Sequence, residues 1–283
     1  MLSIINYNSS GQSHFGRRSC MLIAFVTCLL ALRSTCLCQQ VGNGPSSNDG
    51  LEYQSNGTIL LSANGSWPEE QILERLRREY GWVTDYEQTP RLANMVVTRA
   101  DGSLQAKMHS VSVSIPRPTE DSSAEELRVL GALASGLSSA DERVTVVQNG
   151  GGGRFDILLS AGGAETILST AIVIPSQARS VGDTITAVLE AVSTRTGQPI
   201  LLGGIANSSL EITQVTVGGT QPLPARVLLA EALDALPVRH VWLLGYEPQM
   251  GSYTIGVEPA VRVTRTALGQ VVEIPVKAPP KQK

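Results

Sequence analysis

The amphipathic pattern of this chain passes through the same order of strands and helices twice. In the first run, residues 57–160, two helices are predicted to begin at Ser66 and near Ser122, each with a glutamate three residues later. This S-x-x-E spacing is typical of helix N-termini. In the second run, residues 168–258, one helix ends at Gly197 and another begins near Pro224. We therefore expect an α+β fold of two tandem small modules, each with two helices packed on a small sheet in the order β-α-β-β-α-β-β.

Strand signals fill the gaps between these helices. The clearest lies at His109 to Ile115, where apolar residues alternate with serines, so that one face is buried and the other is wet. Each module is expected to end in a hairpin. The predicted hairpin strands are Val144 to Gln148 with Phe155 to Ser160, and His240 to Tyr246 with Ser252 to Val257. The other predicted strands are Thr58 to Ser62, Trp82 to Tyr86, Ile172 to Pro175, Pro199 to Leu202 and Glu211 to Val217.

A short sequence match between the two runs indicates duplication. Ile72 to Leu76, followed by Gly81, lines up with Val188 to Val192, followed by Gly197, at a constant offset of 116 residues. In both helices the apolar positions are predicted to face a core and the glycine to end the helix. The second helix of each run also has its apolar residues on one face. Leu127 is expected in the core of the first module and Leu233 in the core of the second.

The N-terminus has the layout of a signal peptide. The 14 residues between Arg18 and Arg33 are uncharged, which is shorter than the roughly 20 residues that a membrane-spanning helix needs. Residues 1–38 are predicted to be removed by a cut before Gln39, through either the Sec or the twin-arginine route. All four cysteines lie in that segment, so the mature chain has none to form a disulfide or a thiolate site. The Gly-, Ser- and Asn-rich residues 39–56 are predicted to form a flexible linker, and residues 259–283 a C-terminal tail.

Charge and composition exclude several classes of protein. Hydrophobic residues make up 42% and charged residues 17%, which is enough apolar content for a folded core. Lys and Arg number 22 against 25 Asp and Glu, and removal of residues 1–38 would take three more arginines away. Nucleic acid is therefore not an expected partner, because a phosphate backbone needs a basic surface.

In the second run, one helix ends with Ser193 to Gly197, extended segments lie around Ile200 and at Ile212 to Val217, and a further helix covers Pro224 to Leu233. With these segments, the second run resembles the secretin and TonB N-terminal short domain, a small α+β module of the bacterial envelope. Through Leu76 to Trp82, with Tyr86 and Glu87, the first run resembles the opening of uncharacterised exported bacterial proteins. The resemblance implies a periplasmic or secreted protein that binds another envelope protein, and it brings no catalytic residues with it.

Few residues of the mature chain suggest chemistry. Its two histidines, His109 and His240, have no Cys, Asp or Glu at the spacing of a metal site. The glycine run 150–153 leads into a strand instead of a helix N-terminus, so it is interpreted as a hairpin loop and not as a phosphate cradle. No G-x-S-x-G segment is present. We therefore expect no catalytic residue, no cofactor and no metal.

The candidate interaction patch consists of Trp67, Arg91 and Arg99. Trp67 stands at the first turn of a helix, and the two arginines belong to a long segment from Glu87 to Leu104. Long connections in small domains often carry function, and aromatic and Arg side chains dominate many interfaces. The sequence thus favours an exported, non-catalytic envelope protein that acts by protein interaction and has no stable transmembrane segment after signal cleavage. The alternatives are a soluble periplasmic binder of a small ligand held between the modules and, third, an enzyme.

Overall fold

The computed structural model describes residues 50–89, 96–102, 104–149, 153–203, 208–247 and 250–278. The predicted signal peptide and residues 39–49 of the predicted linker lie outside them. Within the described residues the helices are α1 (Pro68–Tyr80), α2 (Ser123–Leu137), α3 (Val181–Thr196), α4 (Ser208–Ile212) and α5 (Ala225–Leu233), with a 3-10 turn at Ile167–Ser169. None of these helices has the length and hydropathy to cross a bilayer.

The strands outnumber the helices, and the predicted α+β class is confirmed. The strands of the first half are β1 (Gly50–Tyr53), β2 (Thr58–Gly65), β3 (Val83–Gln88), β4 (Val96–Thr98), β5 (Leu104–Ala106), β6 (His109–Pro116), β7 (Glu142–Asn149) and β8 (Arg154–Ala161). Those of the second half are β9 (Ala171–Ile172), β10 (Gln177–Ser180), β11 (Ile200–Leu202), β12 (Gln214–Val217), β13 (Leu223–Pro224), β14 (His240–Glu247), β15 (Ser252–Pro259), β16 (Val261–Arg265) and β17 (Val271–Pro275).

One sheet runs through both halves of the chain. Its six strands lie in the order β11-β15-β14-β3-β8-β7, three from each half. The halves meet where β14 pairs with β3 in parallel, through Leu243 with Tyr86 and Leu244 with Glu87. The expectation of a separate sheet for each module is therefore wrong. The physical reason is that every residue of β3 is buried, so β3 is an interior strand although its sequence carries two acids.

The helices of the two halves pack on opposite faces of this sheet. Tyr86 of β3 belongs to a core that includes Leu73 of α1 and Leu133 of α2. Trp242 of β14 belongs to the other core, with residues of α3 and α5, among them the fully buried Leu233. Because successive side chains of a strand alternate between faces, Asp85 and Glu87 point away from Tyr86, toward the helices of the second half.

The helix ends and helix faces follow the sequence signals, with one exception of each kind. Gly81 and Gly197 end α1 and α3 with φ of 75° and 70°, and Ser122 caps α2 by accepting the N–H of Glu125 at 3.2 Å. The box predicted at Ser66 does not form, because the helix begins one residue later, at Pro68, and its N-cap residue is Trp67, which makes no side-chain cap. In α2, Leu127 is 40% exposed instead of buried.

The hairpins predicted for both halves are confirmed, but part of one predicted strand is helical. β7 pairs with β8 and β14 with β15, both antiparallel. Within the segment predicted as a strand at Glu211 to Val217, α4 takes the first two residues and β12 the last four.

Both ends of the described chain are more ordered than their composition predicts. Gly50–Tyr53, placed in the flexible linker by its composition, forms β1 and pairs with β2. The predicted C-terminal tail forms a hairpin of β16 and β17, and the N–H of Arg239 donates to the carbonyl of Val276 behind it. In each case a few apolar residues at alternate positions find a neighbouring strand, which composition alone does not reveal.

Candidate functional site

A buried network of charged side chains holds the two halves together. Its centre is Arg154 of β8, whose Nη1 donates to Asp85 Oδ2 at 2.6 Å, with neither side chain exposed. The same guanidinium donates from Nη2 to Asp234 Oδ1 at 2.9 Å, just after α5, and to the carbonyl of His240 at 2.9 Å. The other oxygen of Asp85 accepts the N–H of Trp242 at 2.9 Å. One arginine therefore joins two strands of the first half to a helix end and a strand of the second.

A second group of contacts extends the network along the same face of the sheet. Glu87 Oε1 accepts the N–H of Leu168 at 2.6 Å, and its Oε2 lies 3.8 Å from Nη2 of Arg226 on α5. Asn149 at the end of β7 donates from Nδ2 to Asp156 Oδ2 at 3.0 Å and to the carbonyl of Arg226 at 3.2 Å. These contacts tie α5 and the 3-10 turn onto strands whose contacting residues precede them by at least 77 residues in sequence.

Burial shifts the protonation of the acids in this network. It raises the pKa of Glu87 to about 7, although the N–H of Leu168 and Arg226 oppose the shift. Burial together with the nearby charge of Asp85 raises the pKa of Asp156 to about 8. Burial also raises the pKa of Asp85, against the attraction of Arg154. Arg154 itself is desolvated, but Asp85 and Asp234 outweigh that cost and raise its pKa.

The network has the pKa values of a catalytic site but not its access. Carboxyls with pKa near 7 suit general acid-base work. A general base must also reach a substrate within hydrogen-bond distance, and the side chains of Asp85, Glu87 and Asp156 are 0% exposed. Each of the three is instead engaged by a donor from a neighbouring element. The arrangement is suited to fixing how the halves are joined.

The histidines that sequence analysis singled out lie apart from each other in the fold. His109 on β6 has Nε2 3.5 Å from Glu69 Oε1. His240 is buried, and its Nδ1 lies 2.8 Å from the carbonyl of Val238. Burial lowers the pKa of His240. Over the residues that the structure describes, no group of three or more His, Cys, Asp or Glu could hold a metal ion.

The predicted patch of Trp67, Arg91 and Arg99 stays a prediction. Trp67 is half-buried and close to β14, since a methyl group placed on Gly245 would lie 4.0 Å from its ring. Arg99 is exposed in the turn between β4 and β5, where its carbonyl accepts the N–H of Gly102. Arg91 lies outside the described residues.

The C-terminal hairpin forms an exposed apolar surface that sequence analysis missed. All five residues of β17 are exposed, on both faces of the strand. We call Leu268, Val271, Val272 and Ile274 the hairpin surface, and they are 86%, 58%, 39% and 47% exposed. The signal was present in the sequence as two short alternating runs on either side of Gly269.

This hairpin contacts the rest of the fold at its base and along one side. Arg78 Nη2 of α1 donates to Glu273 Oε1 of β17 at 2.6 Å. Gly81, at the end of the same helix, leaves room for β16, because a Cβ there would lie 3.3 Å from the Cβ of Arg262. Val276 packs against a small buried cluster of Val83, Val241 and Ala260. The hairpin surface is therefore presented on a fixed support.

Comparison with protein-family models, with curated proteins and with solved structures gave no significant match. The resemblance to the secretin and TonB short domain accordingly rests on the sequence pattern alone.

Proposed function

We propose that this chain is an exported, non-catalytic envelope protein that binds another protein through its C-terminal hairpin. The observation that carries the proposal is the exposure of four large apolar side chains on and beside β17. Monomeric proteins seldom leave large contiguous apolar patches in water, and such patches commonly mark protein contacts. In the described part of the chain, β17 pairs with β16 alone, so its outer edge is available to a further strand.

The partner proposed for this edge is an extended segment with apolar residues at alternate positions. Such a segment would add to β17 by main-chain hydrogen bonds, and its side chains would cover Val272 or its neighbours on one face. The fixed support of the hairpin lowers the entropic cost of that pairing, because the strand is already in its bound conformation.

We also propose that the two halves descend from one duplicated module of the short-domain type. In each half, the strand after the first helix pairs in parallel with the second strand of the terminal hairpin. In each half, two strands that precede helices pair antiparallel: β2 with β6 in the first half, and β10 with β12 in the second, where the two-residue β13 lies between β12 and α5. Envelope localisation is part of the proposal and rests on the predicted signal peptide and the family resemblance.

The alternative of a small ligand held between the halves has less support. That function needs polar groups that are free to turn toward a ligand. At the junction, Arg154, Asp85 and Glu87 are buried and bonded to neighbouring elements. The exposed hairpin edge therefore favours a protein partner.

Site-specific photocrosslinking in native envelope fractions would test the proposed partner surface. A photoreactive residue would replace Val272 in the hairpin, and a matched control would carry it at the exposed Glu190 on α3. We expect one envelope protein to be crosslinked from position 272 and not from 190. Excess mature wild-type chain should compete, whereas an Ile274→Asp variant should not.

Three results would contradict the proposal. They are equal crosslinking from both positions, equal competition by the Ile274→Asp variant, and crosslinks from position 272 that join only two copies of this chain.

A further inference from the structure

The two end strands of the central sheet are counterparts of the two strands that join its halves. In the hairpins, the last pairs before the turn are Asn149 with Arg154 and Glu247 with Ser252, which differ by 98 positions on both strands. The free edge of β7 therefore corresponds to the edge of β14 that pairs with β3.

The same comparison makes β11 the counterpart of β3. Phe155 pairs with Thr84 in the first half, and Tyr253, 98 positions later, pairs with Ile200 in the second. Residues 84 and 200 differ by 116, the offset that also relates the helix-ending glycines Gly81 and Gly197. This structural register was obtained from strand pairing and agrees with the sequence register.

The two halves are related by an operation that can be repeated. Left to right, each half presents two parallel strands and then an antiparallel one, β11-β15-β14 and β3-β8-β7. The strand directions are reversed between the halves, because β14 runs parallel to β3, and the helices lie on opposite faces. A half-turn about an axis across the strands, combined with a shift along that axis, therefore carries one half onto the next. If the same operation is applied once more, β11 of a second copy of the chain lies beside β7 of the first, and the two strands run parallel, as β14 and β3 do.

Two exposed leucines, Leu127 and Leu201, lie at the positions that would face each other across the contact between two copies. The buried residues Val129, Leu130, Leu133 and Ala134 of α2 match Leu228, Leu229, Ala232 and Leu233 of α5 at an offset of 99. On that offset, Leu127 is the counterpart of Arg226, and on the strand offset of 116, Leu201 is the counterpart of Asp85. Arg226 and Asp85 are buried in the internal junction, whereas Leu127 and Leu201 are 40% and 45% exposed.

The backbone of β7 is also oriented for this pairing. The carbonyl of Glu142 points away from β8 and accepts the N–H of Ser139, and the N–H of Val144 points the same way and donates to Ser138 Oγ at 3.0 Å, so these two groups are already bonded. By this alternation, the peptide groups of the even-numbered residues of β7 point away from β8. Val146 is therefore the next residue whose N–H and C=O face the outer edge of β7.

We propose that β7 binds β11 of a second copy of this chain, head to tail, in the register of the internal junction. The expected pairs are Thr145 with Leu202 and Val146 with Gly203, the counterparts of Leu243 with Tyr86 and Leu244 with Glu87. Leu127 of one copy then covers the face of the other that carries Leu201. The contact is heterologous and does not close on itself, so it produces a series of oligomers instead of a single dimer. This inference rests on the proposed duplication and is independent of the hairpin surface.

The self-association of the mature chain tests this surface, measured by analytical ultracentrifugation over a wide range of concentrations. Leu127→Lys and Leu201→Lys change exposed side chains, so both variants should fold as the wild type does. Each should raise the dissociation constant about tenfold or more, since an interfacial leucine is replaced by a charge. Leu268→Lys, on the hairpin surface, is the matched control and should leave self-association unchanged. A monomeric wild-type chain at every concentration, or equal weakening by the control, would overturn the inference.

Cysteine pairing tests the register, because the mature chain beginning at Gln39 has no cysteine of its own. Thr145→Cys mixed with Leu202→Cys should give disulfide-linked or maleimide-linked dimers, and either variant alone should give far fewer. Predominant dimers of Thr145→Cys alone would show β7 pairing with β7 and would refute the head-to-tail arrangement. Loss of the crosslinked partner from position 272 with self-association intact would instead count against the proposed function only.

Discussion

Replacing Arg154 with methionine should destabilise this protein far more than the same replacement of Arg128. Both arginines make an ion pair of 2.6 Å, Arg154 with Asp85 and Arg128 with Glu125. They differ in their access to water, because neither side chain of the first pair is exposed while Arg128 is 48% exposed. The two ion pairs have the same length, but Arg154 is buried and also donates to Asp234 and to the carbonyl of His240.

The expected loss follows from what is left behind in the junction. Arg154→Met leaves Asp85 buried without a counter-charge, and removal of one partner of a buried pair costs about 3 to 5 kcal/mol. For a unit of this size that corresponds to a fall in Tm of roughly 6 to 20 °C. Arg128→Met should change stability little, since water screens and replaces the lost contact.

Urea denaturation of the two variants and the wild type, followed by tryptophan fluorescence, would measure both losses. The signal is well placed, because the Trp242 side chain is fully buried and the backbone N–H of the same residue donates to Asp85. Asp85→Asn in the Arg154→Met background should restore part of the stability, since the unpaired charge is gone. Equal losses for Arg154→Met and Arg128→Met, or no recovery in the double variant, would refute the reasoning.

Further outcomes can be measured by denaturation and mass spectrometry. Leu233→Ala should cost about 2 to 5 kcal/mol, because that side chain is 0% exposed. Gly81→Ala should destabilise more than Gly102→Ala, since both have positive φ but a Cβ at Gly81 also meets β16 at 3.3 Å, while nothing lies within 4 Å at Gly102. Burial raises the pKa of Asp156 from 3.8 to about 8, so the contribution of Asp156 to stability is present at low pH and is lost as pH rises through that interval. The Asp156→Asn variant should therefore lose less stability than the wild type between these two pH values. Parallel curves of unfolding free energy against pH for the variant and the wild type would contradict this expectation. Mass spectrometry of the exported protein should find Gln39 at its N-terminus, and an intact chain would disprove cleavage.

The local elements of the fold could be predicted because their signals are local. The S-x-x-E segment at Ser122, the helix-ending Gly81 and Gly197, and the alternation along β6 each depend on neighbouring residues only. Such signals determine where a helix or strand begins and ends, whatever packs on it later. The core position of Leu233 followed from the same spacing and is borne out.

The joining of the halves could not be predicted because its signal is long-range. Asp85 and Glu87 are acidic residues in a strand, and the partners that accompany the burial of Asp85 are distant in sequence, Arg154 by 69 residues and Trp242 by 157. The hairpin surface was missed for a related reason. Its strands are short and end in a proline- and lysine-rich segment. This composition predicts a tail, and the alternation of apolar residues along five-residue strands is too short to indicate a hairpin.

The chemical difference between the internal junction and its proposed external counterpart matches the task of each. The internal junction forms once, as the chain folds, and the strict geometry of Arg154 with Asp85 and Asp234 favours one register over its neighbours. The external contact must form and dissociate between folded copies. At the matching positions Leu127 and Leu201 replace charged residues, and apolar contact has no directional requirement and leaves no unpaired buried charge when the copies separate. On this reasoning, Leu201→Asp would place in the external contact the charge that Asp85 has in the internal junction, but without an arginine partner. This single change should prevent assembly while leaving the fold intact.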